Sequence, residues 1–339
     1  MLPQGHPPVA DPKVGVLIVN LGSPDAPEPG AVKRYLKEFL SDRRVVEIPA
    51  LLWQPILRGI ILNTRPAKSA ALYASIWDRD RGDSPLRVIT ADQASALQAA
   101  LPDVRVDFAM RYGNPSIPDR LAALKAAGCT RILVMPLYPQ YSAATTATVI
   151  DKVGDTLKAM RWQPALRFLP PYHDDPLYIA TLAEDARTAL AALDFEPDVL
   201  VASFHGMPER TLELGDPYHC HARKTARLLR EALGRDERDF RTAFQSRFGK
   251  AEWLKPYLDK TLESLAREGV RKIAVIAPGF SADCIETLEE IAIQGRELFL
   301  HAGGTHFAYL RCLNAEPAGM RMLRELAARE LAGWRESGH

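Results

Sequence analysis

Cysteine is scarce here: 339 residues carry four, and the nearest two, Cys284 and Cys312, stand 28 positions apart. With no C-x-x-C pair, zinc-ribbon and ferredoxin-type spacings are excluded. Sparse thiols behind an N-terminus that has no charged-then-apolar leader pattern fit a reducing cytoplasm. Net charge is nearly absent as well. Lys and Arg number 43 against 42 Asp and Glu, and no basic run exceeds two residues. Such a chain has no field for gripping a phosphate backbone, so nucleic acid is not an expected partner. A long hydrophobic run is also missing. The most apolar window, 49–62, has 14 residues and contains Arg58, too few for the ~20 of a membrane span. It can lie on a bilayer or line an apolar pocket. Phosphate loops are lacking: there is no Walker A motif, and the first β-rich run leads into NLGSP at 20–24, without the glycines of a dinucleotide turn. Zincin helices, nucleophile elbows and kinase signatures do not occur either.

What is present is an alternation. Apolar, β-rich runs recur at 14–20, 104–109, 132–137, 166–169, 199–204, 241–244, 273–277 and 307–310. Between them lie stretches with i, i+3, i+4 apolar spacing, among them 32–40, 91–101, 121–127 and 177–193. Continuous apolar strands alternating with helices predict parallel sheets covered on both faces. The length exceeds one ordinary domain of ~100–200 residues, and the Pro-rich segment 167–176 (RFLPPYHDDP) is the expected inter-domain linker.

An internal echo supports two units. Residues 121–134 read L-x-x-L-x-x-x-G-x-x-R-I-x-V, and residues 262–275 read L-x-x-L-x-x-x-G-x-x-K-I-x-V. Each is followed by a matching turn, PQYSA at 139–143 and PGFSA at 278–282. A helix, a glycine stop and a branched strand occur in many α/β units; the added P-x-[YF]-S-A favours duplication. Ligands of open α/β sheets sit outside the carboxyl ends of the strands, so two such units face to face make a cleft lined by those loops.

Two acid/base candidates stand at strand ends. His205 is the first titratable side chain to leave the run 199–204, and an imidazole there can take a proton, ligate a divalent metal or simply brace a turn beside Gly206 and Pro208. Glu286 follows Asp283 with N-cap to N3 spacing, which alone would only start a helix. Glu286 and Glu290, however, are i, i+4, and like charges at that spacing oppose an α-helix; a carboxylate row makes more sense if a cation binds it. Imidazole and carboxylates together suit Fe²⁺, Mn²⁺ or Zn²⁺. Arg111 and Tyr112 after the second strand, Tyr138 after the third, and Leu21, Trp53, Trp77, Trp253 and Phe280 offer apolar and aromatic surface plus one guanidinium. That set suits a planar hydrophobic ligand bearing carboxylates, although each aromatic taken singly fits core packing. The tract His219-Cys220-His221 follows a GDPY turn and reads as a helix start rather than a metal site.

These residues resemble the ferrochelatases. The match runs from Val14 to Asn314 through NLGSP (20–24), RGDSPL (81–86), MRYGNPS (110–116), PLYPQYSAATT (136–146), SFHGMPER (203–210), GDPY (215–218), FQSRFGKAEWLKP (244–256), PGFSADCIETLEEIAIQGRE (278–297) and AGGTHFAYLRCLN (302–314). The resemblance implies an α/β fold of two similar Rossmann-like, chelatase-type domains, each a four-stranded parallel sheet flanked by helices, with the active-site cleft between them. The expected domains are 13–170, completed by a C-terminal helix at 317–335, and 171–316. It implies that His205 and Glu286 are the catalytic and metal-handling residues. Leu21, Arg111, Tyr112, Tyr138, Trp253 and Phe280 fall at porphyrin-pocket positions, and Asp283 and Glu290 on an acidic face that carries iron or protons. The window 49–62 falls at the family's hydrophobic lip, which is compatible with peripheral contact at the cytoplasmic membrane face; no obligate protein partner is evident.

Departures from the family pattern are informative. Animal members hold a [2Fe–2S] cluster partly through a Cys in a Y-S-C-S-T-T loop; here the loop reads YSAATT (141–146), and no Cys follows Cys312. The spacing argues against a cluster, so no cofactor is required and Fe²⁺ is a substrate. Cys284 stands where some members have His. The expected reaction is insertion of Fe²⁺ into protoporphyrin IX with release of two protons, a metal-chelatase (lyase) step ending haem synthesis. The alternatives are a coproporphyrin III ferrochelatase, a cobalt-type relative acting on sirohydrochlorin, and a non-catalytic haem- or porphyrin-binding protein.

Overall fold

In the computed structural model, residues 3–6, 11–249 and 251–334 are described. The first half runs β1 (Lys13–Gly22), α1 (Pro29–Leu40), α2 (Ala50–Ile56), α3 (Leu62–Ile76), α4 (Pro85–Ala100), β2 (Arg105–Tyr112), α5 (Ile117–Ala126), β3 (Cys129–Pro136), α6 (Thr148–Lys158) and β4 (Ala165–Phe168). The second runs α7 (Pro176–Ala191), β5 (Val199–His205), α8 (Glu209–Glu213), α9 (Tyr218–Leu233), β6 (Phe240–Gln245), α10 (Leu258–Arg267), β7 (Lys272–Ile276), α11 (Arg296–His301) and β8 (His306–Leu310). α12 (Pro317–Glu330) closes the described chain, and Arg335, the last residue of the expected C-terminal helix, lies outside the described residues. Three segments are π-helical: Leu57–Ile61 between α2 and α3, Ala143–Ala147 before α6, and Glu286–Gly295 before α11.

Local chemistry sets the ends of these elements. The Ser84 hydroxyl accepts from the Arg87 N–H ahead of Pro85, Ser116 accepts from the Asp119 N–H ahead of α5, and Asp175 accepts from the Leu177 N–H ahead of Pro176. Each is a polar N-cap, and two are followed directly by a proline that has no N–H to satisfy. Gly234 ends α9 in the left-handed region, at φ 69°.

Both sheets are parallel and have the same order, β2-β1-β3-β4 and β6-β5-β7-β8. The echoed segments form the third strand of each order, β3 and β7, as duplication requires. β1 shows why a continuous apolar run reads as a buried parallel strand: Val16, Leu17, Ile18 and Val19 are all 0% exposed. Leu17 and Val19 pack toward α5 and α6, whereas Val16 and Ile18 face the other way. That second face meets its counterpart. Val16, Ile18 and Met135 of the first sheet share one buried cluster with Leu200, Phe204 and Ile276 of the second. α12 packs on α4 and β3 of the first half and on α7 of the second. The two lobes therefore share a core, and their central strands point their carboxyl ends at one cleft.

The lip is helical. Along α2 and the turn into α3, Leu51 is 91% exposed and Leu52, Ile56 and Ile60 are also exposed. The Trp53 indole N–H anchors this hairpin on the Leu40 carbonyl at 2.6 Å. Among the described residues no helix is long and apolar enough to cross a membrane.

Candidate active site

The duplicated turns build the cleft by docking onto each other's lobe. In the first turn the Ser142 hydroxyl and the Ala143 N–H both donate to Asp216 before α9, and the Gln140 amide donates to Thr225 on α9. In the second, the Ser281 hydroxyl donates to the Leu137 carbonyl at 2.9 Å, and the Gln93 amide of α4 donates to the Ser281 carbonyl. The cleft between them is walled by Leu21, Leu86, Leu137, Tyr138 and Phe280, and His205 and Glu286 both open into it. The Tyr138 hydroxyl is buried there without a partner among the described residues, an unmet donor that a ligand can satisfy.

His205 ends β5. Its Nδ1 lies 2.6 Å from the Gly206 carbonyl oxygen. A carbonyl only accepts, so Nδ1 carries the proton and Nε2 keeps the free lone pair of a base or ligand. The His205 carbonyl is in turn held by the Tyr218 hydroxyl at 2.9 Å.

Glu286 is the first residue of the ten-residue π-helix. The like-charge pair persists in this helix, for the Glu286 charge still acts on Glu290; π-helical turns are rare and gather at functional sites. The capping arrangement also differs from the one expected. Thr287, not Asp283, meets the start of the helix, accepting the Cys284 N–H and donating to Asp283. Glu290 accepts from the Ser246 hydroxyl and lines a second, larger cavity of about 580 Å³ together with Gln294, Glu297 and His301. Burial, then the charge of Glu286, pushes the Glu290 carboxyl up to about 7.

Of the ten site residues read from the sequence, the structure brings Leu21, Tyr138, His205, Phe280 and Glu286 to one cleft. Glu290 stands on the outer cavity. The other four do not line that cleft. Arg111 is claimed by Asp42 and the Thr148 carbonyl, and its guanidinium stacks on Tyr112 at 4.2 Å. Tyr112 is fully buried with its hydroxyl on Asp42. Trp253 is buried against Phe248. Asp283 is 0% exposed and accepts from Tyr309, Arg311, Asn314 and Thr287. The His221 Nδ1 accepts the Tyr141 N–H, and its ring stacks on His173 at 3.6 Å.

The structure adds neighbours the motifs did not single out. Tyr73 of α3 borders Glu286 and Cys284; burial first, and the Glu286 charge second, hold its phenol well above the usual range. Cys284 lines the cleft beside Glu286, and burial then Glu286 pushes its thiol far up. Helical periodicity in 62–76 was the available signal for Tyr73, but it gives no contact across lobes. Among the described residues no group of three His, Cys, Asp or Glu is arranged as a metal cage.

The family model for ferrochelatase matches residues 13–331. The chain belongs to the ferrochelatase family. The ferrochelatase of Agrobacterium fabrum is 56% identical over 336 residues, covering 98% of each chain. That of Rhizobium meliloti is 57% identical over 332 residues, covering 97% of this chain and 98% of its own. The fold is likewise that of the solved chelatase SirB from Bacillus subtilis with Fe³⁺, at a TM-score of 0.54 and 14% identity over 95% of this chain and 98% of that one. This ferrochelatase is thus a metal chelatase, a lyase of haem biosynthesis that inserts a metal ion into a porphyrin.

Proposed function

We propose that this ferrochelatase inserts Fe²⁺ into protoporphyrin IX, releasing both pyrrole protons and forming protohaem at the end of haem synthesis. The observation that carries the reading is that His205 and Glu286 open into one cleft whose remaining lining is mostly apolar. Among the described residues no Lys or Arg lines that cleft, and Arg111 is paired with Asp42. A four-carboxylate coproporphyrin would bring more charge into it than the walls can balance.

In this reading His205 takes a pyrrole proton, or holds iron, through Nε2. Glu286 serves the other side of the ring. Glu290, near half-protonation at neutral pH, passes protons between Glu286 and the outer cavity, because a group with a pKa close to the working pH both accepts and releases. Asp283 is the anchor that fixes the strand-to-helix corner rather than a carrier. Arg111 and Tyr112 back the pocket wall through Asp42. The exposed face of α2 and α3 makes peripheral contact with the cytoplasmic membrane surface. No resident [2Fe–2S] cluster belongs to this reading: Cys129 is sealed in β3 and Cys220 lies exposed on α9, leaving only Cys284 and Cys312 as neighbours.

The test supplies Fe²⁺ anaerobically with protoporphyrin IX or coproporphyrin III and follows metalloporphyrin absorbance. Faster insertion into protoporphyrin is expected, and the reverse preference would assign coproporphyrin. No insertion into either would leave a binding protein. His205→Ala and Glu286→Gln should each lose ~10²-fold or more in turnover while porphyrin still binds.

A further inference from the structure

Gln245 ends β6, opposite His205 in the β5–β6 register. It is buried, uncharged and absent from the cleft walls, yet it is bonded to both members of the catalytic pair's scaffold. Its main-chain carbonyl accepts the Gly206 N–H at 2.8 Å, immediately after His205. Its side-chain Oε1 accepts the Ser203 hydroxyl at 2.6 Å, two residues before His205. Its Nε2 donates to the main-chain carbonyl of Glu286 at 2.7 Å, on the first residue of the π-helix. The geometry points to Gln245 as the positioning residue that fixes His205 relative to Glu286, a role that rests on the reading of those two as the working pair.

The amide is suited to this because its two ends differ. The Glu286 carbonyl can only accept, so Nε2 must face it, and Oε1 is then left for the Ser203 hydroxyl. A flipped amide would set two oxygens against each other. Ser203 is 0% exposed and Gln245 5% exposed, although Gln245 also borders the outer cavity, and a buried bond left unmade there is costly. A purely structural strand end would be served by an apolar side chain, since a buried polar pair has to satisfy all its bonds to break even. The backbone leaves no slack: a Cβ on Gly206 would sit 2.6 Å from the Gln245 carbonyl oxygen. The next residue continues the function, for Ser246 donates to Glu290. The carboxyl end of β6 thus holds two of the three acids of the π-helix, Glu286 by its backbone and Glu290 by its carboxylate.

Gln245→Met keeps length and volume but removes the bonds to Ser203 and Glu286, together with the amide's contact to Glu290. Turnover should fall by ~10- to 100-fold, the loss expected when a reacting group is misplaced by about an ångström. The KM and Kd for protoporphyrin IX should stay within about twofold, because uniform binding is untouched. Gln245→Glu retains an acceptor for Ser203 but sets an acceptor against the Glu286 carbonyl, and should be as slow. Ser203→Ala should slow turnover less, and Ser203→Ala with Gln245→Met should be no slower than Gln245→Met alone. Full turnover in either folded Gln245 variant overturns the assignment. So does a turnover loss matched by equal losses of porphyrin affinity and thermal midpoint, which would make Gln245 a structural prop. His205→Ala and Glu286→Gln, measured alongside, separate the layers. Activity retained there fails the pair reading, whereas activity lost there and kept in the Gln245 variants fails only this inference.

Discussion

Glu290 shows how one buried carboxyl ties stability to pH. Its ordinary value is 4.5, and burial followed by the Glu286 charge raises it to about 7, with the Ser246 hydroxyl opposing the rise. Between those values the folded chain holds a proton that the unfolded chain has released. Stability from this group is therefore fully present below pH 4.5 and is lost as pH rises through 7. The upper bound of the loss is about 3 kcal/mol, since each tenfold change in proton affinity is worth ~1.36 kcal/mol. Glu290→Gln keeps an acceptor for Ser246 and never ionises. Its thermal midpoint should exceed that of the parent at pH 8 and converge with it toward pH 5. Its turnover should fall, because an amide cannot carry the proton that Glu290 relays. Equal midpoint differences at both pH values would mean that Glu290 stays ionised throughout.

At the scale of the element, the two devices that matter most are a π-helix and a lip, and they differ in how far the sequence reveals them. The eight strands were legible because each is a short apolar run between turn residues, and His205 and Glu286 because each leaves such a run as its first titratable group or close to it. The π-helix was visible only as a contradiction, two glutamates at a spacing an α-helix resists. Asp283 was misleading for the opposite reason: its spacing from Glu286 imitates a capping box, while its carboxylate is consumed by Tyr309, Arg311 and Asn314 from β8 and the segment after it. Those partners are 26 to 31 positions away, beyond the reach of local pattern. Arg111 is likewise paired with Asp42 at a separation of 69. The lip was legible in composition and not in shape. Leu51 and Leu52 are the most exposed of its apolar residues, and apolar side chains grouped on one helix face mark an interaction surface. Leu51→Glu with Leu52→Glu should reduce vesicle affinity, read by co-sedimentation with anionic phospholipid, by ~100-fold or more if both leucines bury fully, at ~1.5–3 kcal/mol each, while leaving turnover on detergent-dispersed porphyrin unchanged. Unaltered co-sedimentation would remove the lip from membrane contact.

For the whole molecule, duplication and independence have to be kept apart. The two sheets share one strand order, and each has an outer core of its own, but their facing sides share a third. Leu326 on α12 is 3% exposed within the cluster that joins Val16 and Ile18 of β1 to Leu200 and Phe204 of β5. A side chain in that position supports both lobes at once, so removing it should not loosen one and spare the other. Leu326→Ala should cost ~2–5 kcal/mol, the range for a buried leucine whose cavity collapses only partly. Native-state hydrogen exchange resolves where that cost appears, because each amide reports the free energy of the opening that exposes it. The slowest amides of β1 and of β5 should lose protection by the same increment in Leu326→Ala, which is the signature of one cooperative unit. A loss confined to β1, with β5 unmoved, would show that α12 belongs to the first lobe alone and that the cleft lies between two bodies free to unfold separately. A common increment instead means that the distance between His205 and Glu286 on one side and Leu21 and Tyr138 on the other is set by the same packing that stabilises the chain. Cleft geometry and global stability would then fall together in any variant of this core.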